Sequence, residues 1–330
     1  MQIPKVKINH SQANKIAEVI KNLPKEEQAL NFYSFKKGDK EIVASDMYPS
    51  LNHPQTTNFF SFACLHQFAF WLGDSDGYEK PLVGLIKGKE SKGSDLLWKA
   101  LINALNKNKN VFEPKHLAVL DSNELRNEIF VDDKDTIHFQ DFNKRLEITN
   151  AYGNWFLENK TNPQELVTKS NDTDKPLQAY LDQLNKVPGF SQDPLQKKAL
   201  LLAMALANRP EAYLDVKDPE SWNPIIDYHL MRVALRLGLV ELDESEREIN
   251  KARKWTTGES EKLIRLAVYE VMQEIIEKSG RPMSLLDHTL WLARRYCPEM
   301  QEPDCPKCIF TTACKKDTEL FQPVLRTIDY

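Results

Sequence analysis

YCPEMQEPDCPKCIFTTACKK, residues 296–316, carries four of the chain's five cysteines, Cys297, Cys305, Cys308 and Cys314. Their spacing is C-x7-C-x2-C-x5-C, and the fifth cysteine, Cys64, lies far away. Four thiolates on one short irregular loop are expected to converge on a single centre. Soft thiolate ligands suit zinc or an iron–sulfur cluster. A zinc ribbon pairs two C-x2-C knuckles, and this loop has one, Cys305–Cys308.

Outward from the loop, the composition is that of a globular, mainly helical chain. Of 330 residues, 41% are hydrophobic and 28% charged, and 11 are glycine. No apolar run approaches the ~18 residues of a membrane span. The first twenty residues lack an apolar core and a cleavage site, so a cytoplasmic protein without a signal peptide is expected. Clustered cysteines fit a reducing compartment and a metal site better than a disulfide framework. A net charge of −4 argues against tight binding to long DNA, which relies on clustered Lys and Arg.

Periodicity gives the elements. SQANKIAEVIKNL places Ile16, Val19 and Ile20 on one helix face, with Ser11 as expected cap. The aromatic stretch TNFFSFACLHQFAFWLGDSDGY (57–78) ends in an Asp/Gly turn. PLVGLIKGKESKG (81–93) predicts a small β-hairpin turning near Gly88, followed by a helix capped by Ser94. Residues 176–210 read as helix, turn, helix. IIDYHLMRVALRLGLVEL reads as a helix starting near Asp227, and residues 259–280 as a long helix stopped by Gly280. SLLDHTLWLARRYC is the last helix and runs into the cysteine loop. A single compact unit over 1–330 is expected.

Two resemblances follow from these residues. The cysteine loop resembles the C-x6-C-x2-C-x5-C loop of endonuclease III-type DNA glycosylases, including the proline in EPDCPKC. Residues 177–240 resemble the helix-hairpin-helix layout of the same superfamily. Val187-Pro188-Gly189 matches the first half of its hairpin, Ser191 stands in place of the second glycine, and Asp227-Tyr228-His229 with Arg232-Val233 follows its aspartate-bearing helix start. The resemblance implies a 4Fe–4S cluster, in preference to zinc, held by Cys297, Cys305, Cys308 and Cys314.

From about residue 50 to Tyr330 the chain also resembles the queuosine salvage protein family, whose fold is similar to the DNA glycosylases. The landmarks are colinear: Phe68, Phe70 and Trp71; Gly88, Lys89, Gly93, Ala104 and Asn106; Asp133, Asp135, Arg145 and Asn150; Pro188, Phe190, Lys197 and Ala199; Asp227 and Tyr228; and the terminal PVLRTIDY. Ala63-Cys64-Leu65-His66-Gln67 departs from the family's Thr-Asp-Thr-Leu-Asn, His229 replaces an arginine, and the cysteine loop is an addition.

These resemblances imply an all-α, DNA-glycosylase-like fold, monomeric, with the iron–sulfur loop at 297–314. They imply an N-glycosidic bond hydrolase acting on a modified nucleoside or nucleotide and releasing a queuine-like base. Such a bond breaks through an oxocarbenium-like sugar, which needs a carboxylate and a positioned water. Asp227 is the expected central carboxylate and Lys197 a second catalytic residue or phosphate ligand; only one of Lys197 and Lys198 is expected to face inward, because neighbours lie ~100° apart on a helix. Trp71, Phe70, Asp133 and His229 are expected to hold the base. Two other readings stay open: a DNA glycosylase with lyase activity, in which Lys197 attacks C1′, and a non-enzymatic nucleotide- or nucleic-acid-binding module. Each residue also has a structural reading, as helix cap, solvated lysine or aromatic core.

Overall fold

The computed structural model describes residues 6–24, 30–37 and 40–330. In chain order the elements are β1 (Val6–Ile8), α1 (His10–Lys21), β2 (Ser34–Lys37), β3 (Lys40–Val43), α2 (Thr56–Leu65), β4 (Trp71–Gly73), β5 (Tyr78–Pro81), β6 (Val83–Ile86), β7 (Lys89–Lys92) and α3 (Gly93–Lys107). They continue with α4 (Pro114–Leu117), α5 (Ser122–Glu124), α6 (Phe142–Glu158), α7 (Pro163–Asn171), α8 (Pro176–Leu184), α9 (Lys197–Asn208), α10 (Tyr228–Leu237) and β8 (Val240–Leu242). Last come α11 (Glu244–Lys251), α12 (Gly258–Ser279) and α13 (Met283–Tyr296). The fold is mainly α-helical, and its sheets are two-stranded. No helix among the described residues is long and apolar enough to cross a membrane.

The residues group into two compact units. The first takes 6–24, 73–80 and 222–326; the second takes 30–72, 81–221 and 327–330, each within the described residues. The stretch 177–240, expected to be one helix-hairpin-helix region, is divided between them after Ser221.

In the first unit α1 lies along α12. Ala13, Ile16 and Ile20 of α1 are buried, as are Ile264, Val268 and Ile275 of α12, the spacing of two helical stripes facing each other. The cap of α1 is Asn9 and not Ser11: β1 ends there, and Asn9 Oδ1 accepts the Gln12 amide at 2.9 Å. α12 ends on Gly280 in the left-handed region, φ 63°. α10 stops earlier than its sequence suggests. Gly238 takes φ 78°, and Val240–Leu242 becomes a strand antiparallel to β1, pairing Val6 with Leu242 and Ile8 with Val240.

In the second unit the aromatic stretch forms α2, buried along most of its length, where Phe59, Phe60, Trp98 and Phe112 meet at ring separations of 5.3–5.9 Å. β6 and β7 make the expected hairpin, turning at Lys87 and Gly88, φ 52° and 71°, as a tight two-residue turn requires. Ser94 does not cap α3. The chain passes directly from β7 into the helix at Gly93, φ 54°, which leaves Ser94 inside the first turn.

Candidate functional site

The start of α10 builds the first part of the site. Asp227 is its N-cap, half-buried, with Oδ1 accepting the Leu230 amide at 2.9 Å. A helix start favours a negative side chain, because the first amides have no partner within the helix and carry the positive end of its dipole. Tyr228 follows, and burial, Asp227 and Glu299 together raise its phenol above the usual range. The His229 ring stands 4.4 Å from the Tyr228 ring, and its Nδ1 lies 3.1 Å from Arg232 Nη1.

A residue that the sequence did not single out completes this group. Asp287, in the first turns of α13, is 8% exposed, and its Oδ1 has no hydrogen-bond partner among the described residues. Burial first, and the field of Asp227 second, push its carboxyl up to about 7, while a hydrogen bond from the Ile225 backbone pulls it down. The Asp227 and Asp287 carboxyl groups thus share one electrostatic environment. The signal was in the sequence. Met283, Asp287 and Leu290 fall on one face of α13, so an acid stands in an apolar stripe, where an acid is costly unless it serves a purpose.

Four residues further along α10 from Arg232, one helical turn, Arg236 also points inward. Its Nε donates to the Leu320 carbonyl at 2.6 Å, and its Nη1 to the Pro298 carbonyl at 2.8 Å and to Cys297 Sγ at 3.3 Å. The Cys314 thiol in turn donates to the Arg236 carbonyl at 3.3 Å. Cys297, Cys305, Cys308 and Cys314 are all half-buried and free. Burial first, and then the neighbouring cysteines, push Cys314 up to about 11 and raise Cys308 in the same way. The four thiols therefore lie within electrostatic reach of one another. Among the described residues no three Cys, His, Asp or Glu side chains converge closely enough to ligate one metal ion.

The surroundings fit an anionic centre. Arg236 is 3% exposed, and its polar partners are carbonyls and a thiol. Arg232 is fully buried and pairs through Nη1 with Glu299 at 3.2 Å and with Gln322 Oε1 at 3.1 Å, while its Nε and Nη2 have no hydrogen-bond partner among the described residues. Buried guanidinium groups need compensating anions. Cys297 is the group that both arginines sense or touch.

Lys197, Trp71, Phe70 and Asp133 belong to the second unit. Lys197 opens α9 and is 7% exposed; its Nζ donates to the Gln67 carbonyl at 2.6 Å. Lys198 is buried as well, against the expectation that only one of the two faces inward, and donates to Ile328 O at 2.8 Å and Leu65 O at 3.3 Å. Arg145 takes His66 O at 3.0 Å and Phe68 O at 2.5 Å. The explanation is the end of α2. Four successive carbonyls, 65 to 68, lie there, and each accepts from a buried cation. Helix C-termini favour such charges. Burial, then Lys197, pushes Lys198 down to about 7.

Phe70 and Trp71 are 5% and 2% exposed, and the Phe70 ring packs edge-on to Phe139 at 6.3 Å. Asp133 is exposed, accepts the Gly88 amide, and clamps the β6–β7 turn by donating its own amide to Leu85 O at 2.8 Å. In the hairpin-like turn, the Gly189 amide donates to Gln192 Oε1 at 2.8 Å. Gly189 has φ 89°, and a Cβ there would lie 2.2 Å from Leu65 Cδ1. Backbone conformation and packing account for this glycine.

No protein-family model matches the chain, and no curated protein does.

Proposed function

We propose that the protein hydrolyses the N-glycosidic bond of a modified nucleoside or nucleotide, of the queuosine-salvage type, with Asp227 as the central carboxylate. The observation that carries this reading is the Asp227 carboxylate itself, half-buried and held at a helix start by the Leu230 amide. Breaking the bond places positive charge on the sugar, and a fixed carboxylate is worth most where little reorganisation is needed. Its second oxygen is the one suited to accept a proton from the attacking water. Cys297, Cys305, Cys308 and Cys314 would hold a 4Fe–4S cluster, which when bound supplies a rigid anionic anchor for the loop and for Arg236.

Lys197 fits a structural cation at the end of α2 better than a nucleophile. An amine donating to a carbonyl must leave that bond before it can attack a sugar. The Gly189 amide, which a DNA-binding hairpin would offer to a phosphate, is engaged by Gln192. Both observations weigh against the DNA glycosylase and lyase reading.

The test is direct. Anaerobically purified protein is incubated with queuosine 5′-monophosphate and, separately, with duplex DNA carrying damaged bases, and free base is measured. Release from the nucleotide is expected. Release from DNA alone overturns the proposal, and binding without release favours a non-catalytic module.

A further inference from the structure

We infer that Arg265 is the positioning residue of Asp227: it holds the peptide from which that carboxylate hangs, and Tyr269 on the same helix holds the start of the segment that leads there. This inference rests on the hydrolase reading above and adds the part of the fold that fixes where the carboxylate stands.

The segment 222–227 has no regular structure and leads into α10. Pro224, Ile225 and Ile226 are buried, so their backbone groups need partners inside the protein. The Ile226 amide turns back to the Pro224 carbonyl at 3.1 Å. The Ile226 carbonyl accepts from Arg265 Nε at 3.1 Å. Three residues earlier, Asn223 Oδ1 accepts from the Tyr269 hydroxyl at 2.7 Å, and that hydroxyl accepts in turn from Gln273 Nε2 at 2.9 Å. Arg265, Tyr269 and Gln273 stand four residues apart on α12, so they form one polar stripe along it. α12 packs on α10, and all these residues belong to the first unit.

A peptide group is planar, so the Ile226 carbonyl and the Asp227 nitrogen turn together. Arg265 therefore sets one side of Asp227. The first turn of α10 sets the other, where the Leu230 amide donates to Oδ1 at 2.9 Å. A guanidinium suits this task, because it is planar and donates in a fixed direction, unlike an ammonium on a flexible stem. Arg265 is 5% exposed, and Glu261, one turn earlier, stands 3.9 Å from its Nε. The charge is thus balanced close by while Nε keeps the carbonyl. A carboxylate that meets a sugar cation depends on such support, since a displacement of about 1 Å can cost about 100-fold in rate even when its cause lies away from the chemistry.

The experiment uses two variants of the full chain. Arg265→Lys keeps the charge and gives up the fixed direction, and Tyr269→Phe removes one hydroxyl. Each is assayed on queuosine 5′-monophosphate, and hydrogen exchange of the Leu230 amide is followed by NMR without substrate. In Arg265→Lys kcat should fall by about 10–100-fold while KM stays within about twofold. Leu230 exchange should quicken by about 3–10-fold, as one weakened hydrogen bond would cause. Tyr269→Phe should move kcat and Leu230 exchange the same way by smaller factors. The amides of Val268 and Val271, in the middle of α12, should exchange as in wild type. A contact that only stabilises the fold gives the opposite pattern, with faster exchange along α12 and an unchanged kcat per folded molecule. Unchanged Leu230 exchange, or a loss carried by KM instead of kcat, also overturns the inference. If Arg265→Lys does not fold, Tyr269→Phe decides by the same readings. If wild type releases no base, the hydrolase reading fails, and Leu230 exchange alone decides whether Arg265 holds Asp227 in place.

Discussion

Arg236 touches Cys297: its Nη1 lies 3.3 Å from the thiol sulfur and 2.8 Å from the carbonyl of the next residue, Pro298. The same helix begins on Asp227, about 14 Å away at 1.5 Å per residue. α10 therefore joins the candidate carboxylate to the cysteine loop through one rigid element.

Replacing Arg236 by Met should loosen that loop. The Leu320 and Pro298 carbonyls would lose their donor, at about 1–3 kcal/mol for each group left unsatisfied. Urea unfolding should register a loss of about 3 kcal/mol. Iron and sulfide assays should show reduced cluster content after anaerobic reconstitution, with visible absorption bleaching faster in air than in wild type. Zinc in place of iron in the wild-type protein would overturn the cluster assignment.

Asp227→Asn separates capping from chemistry. Asparagine caps a helix as well as aspartate does, so unfolding free energy should change by less than about 0.5 kcal/mol. Base release should fall by at least about 100-fold, since the charge that matches the sugar cation is gone. Asp227→Ala should lose the same activity and about 1 kcal/mol of stability as well.

Gly189→Ala probes the hairpin-like turn. The new methyl would meet Leu65 Cδ1 at 2.2 Å and Ile148 Cδ1 at 2.8 Å, at a φ of 89°. Overpacking costs about 1–3 kcal/mol, and the left-handed conformation about 1 kcal/mol more. Thermal unfolding measures the sum. DNA affinity measured on the folded variant should not change.

Lys198→Met should flatten the alkaline dependence of stability. Lys198 is pushed down to about 7 by burial, whereas an unfolded lysine titrates near 10.4. Between those values the native state binds fewer protons than the unfolded state, so wild-type stability rises with pH across the window. The penalty below about pH 7 is bounded by about 4–5 kcal/mol. Urea midpoints measured across about pH 6–10 should climb in wild type and stay level in the variant.

Features governed by neighbours in the chain were legible in the sequence. Asp227 opens α10, Gly280 closes α12, and the β6–β7 hairpin turns at Gly88, because capping and left-handed turns depend on a few adjacent residues. Ser11 and Ser94 misled, since strands ending at Ile8 and Lys92 set where those helices begin. The α10 sequence runs apolar through Leu242, and only a partner strand more than two hundred residues earlier turns its end into β8. Lys197 and Lys198 both point inward because α2 ends against them, which no local pattern reveals. Asp287 was visible as an acid within an apolar stripe, but its meaning depends on Asp227 on another helix.

The β1–β8 pairing also dictates an order of events. Val6–Ile8 is made well before its partner Val240–Leu242, which follows more than two hundred residues later. Asn9 likewise waits 232 residues for Glu241, to which its Nδ2 donates at 2.7 Å. Contacts of such long sequence separation slow folding. During synthesis the apolar face of α1 therefore waits more than two hundred residues for α12, the helix it packs on, and apolar surface left uncovered in this way is where nascent chains aggregate.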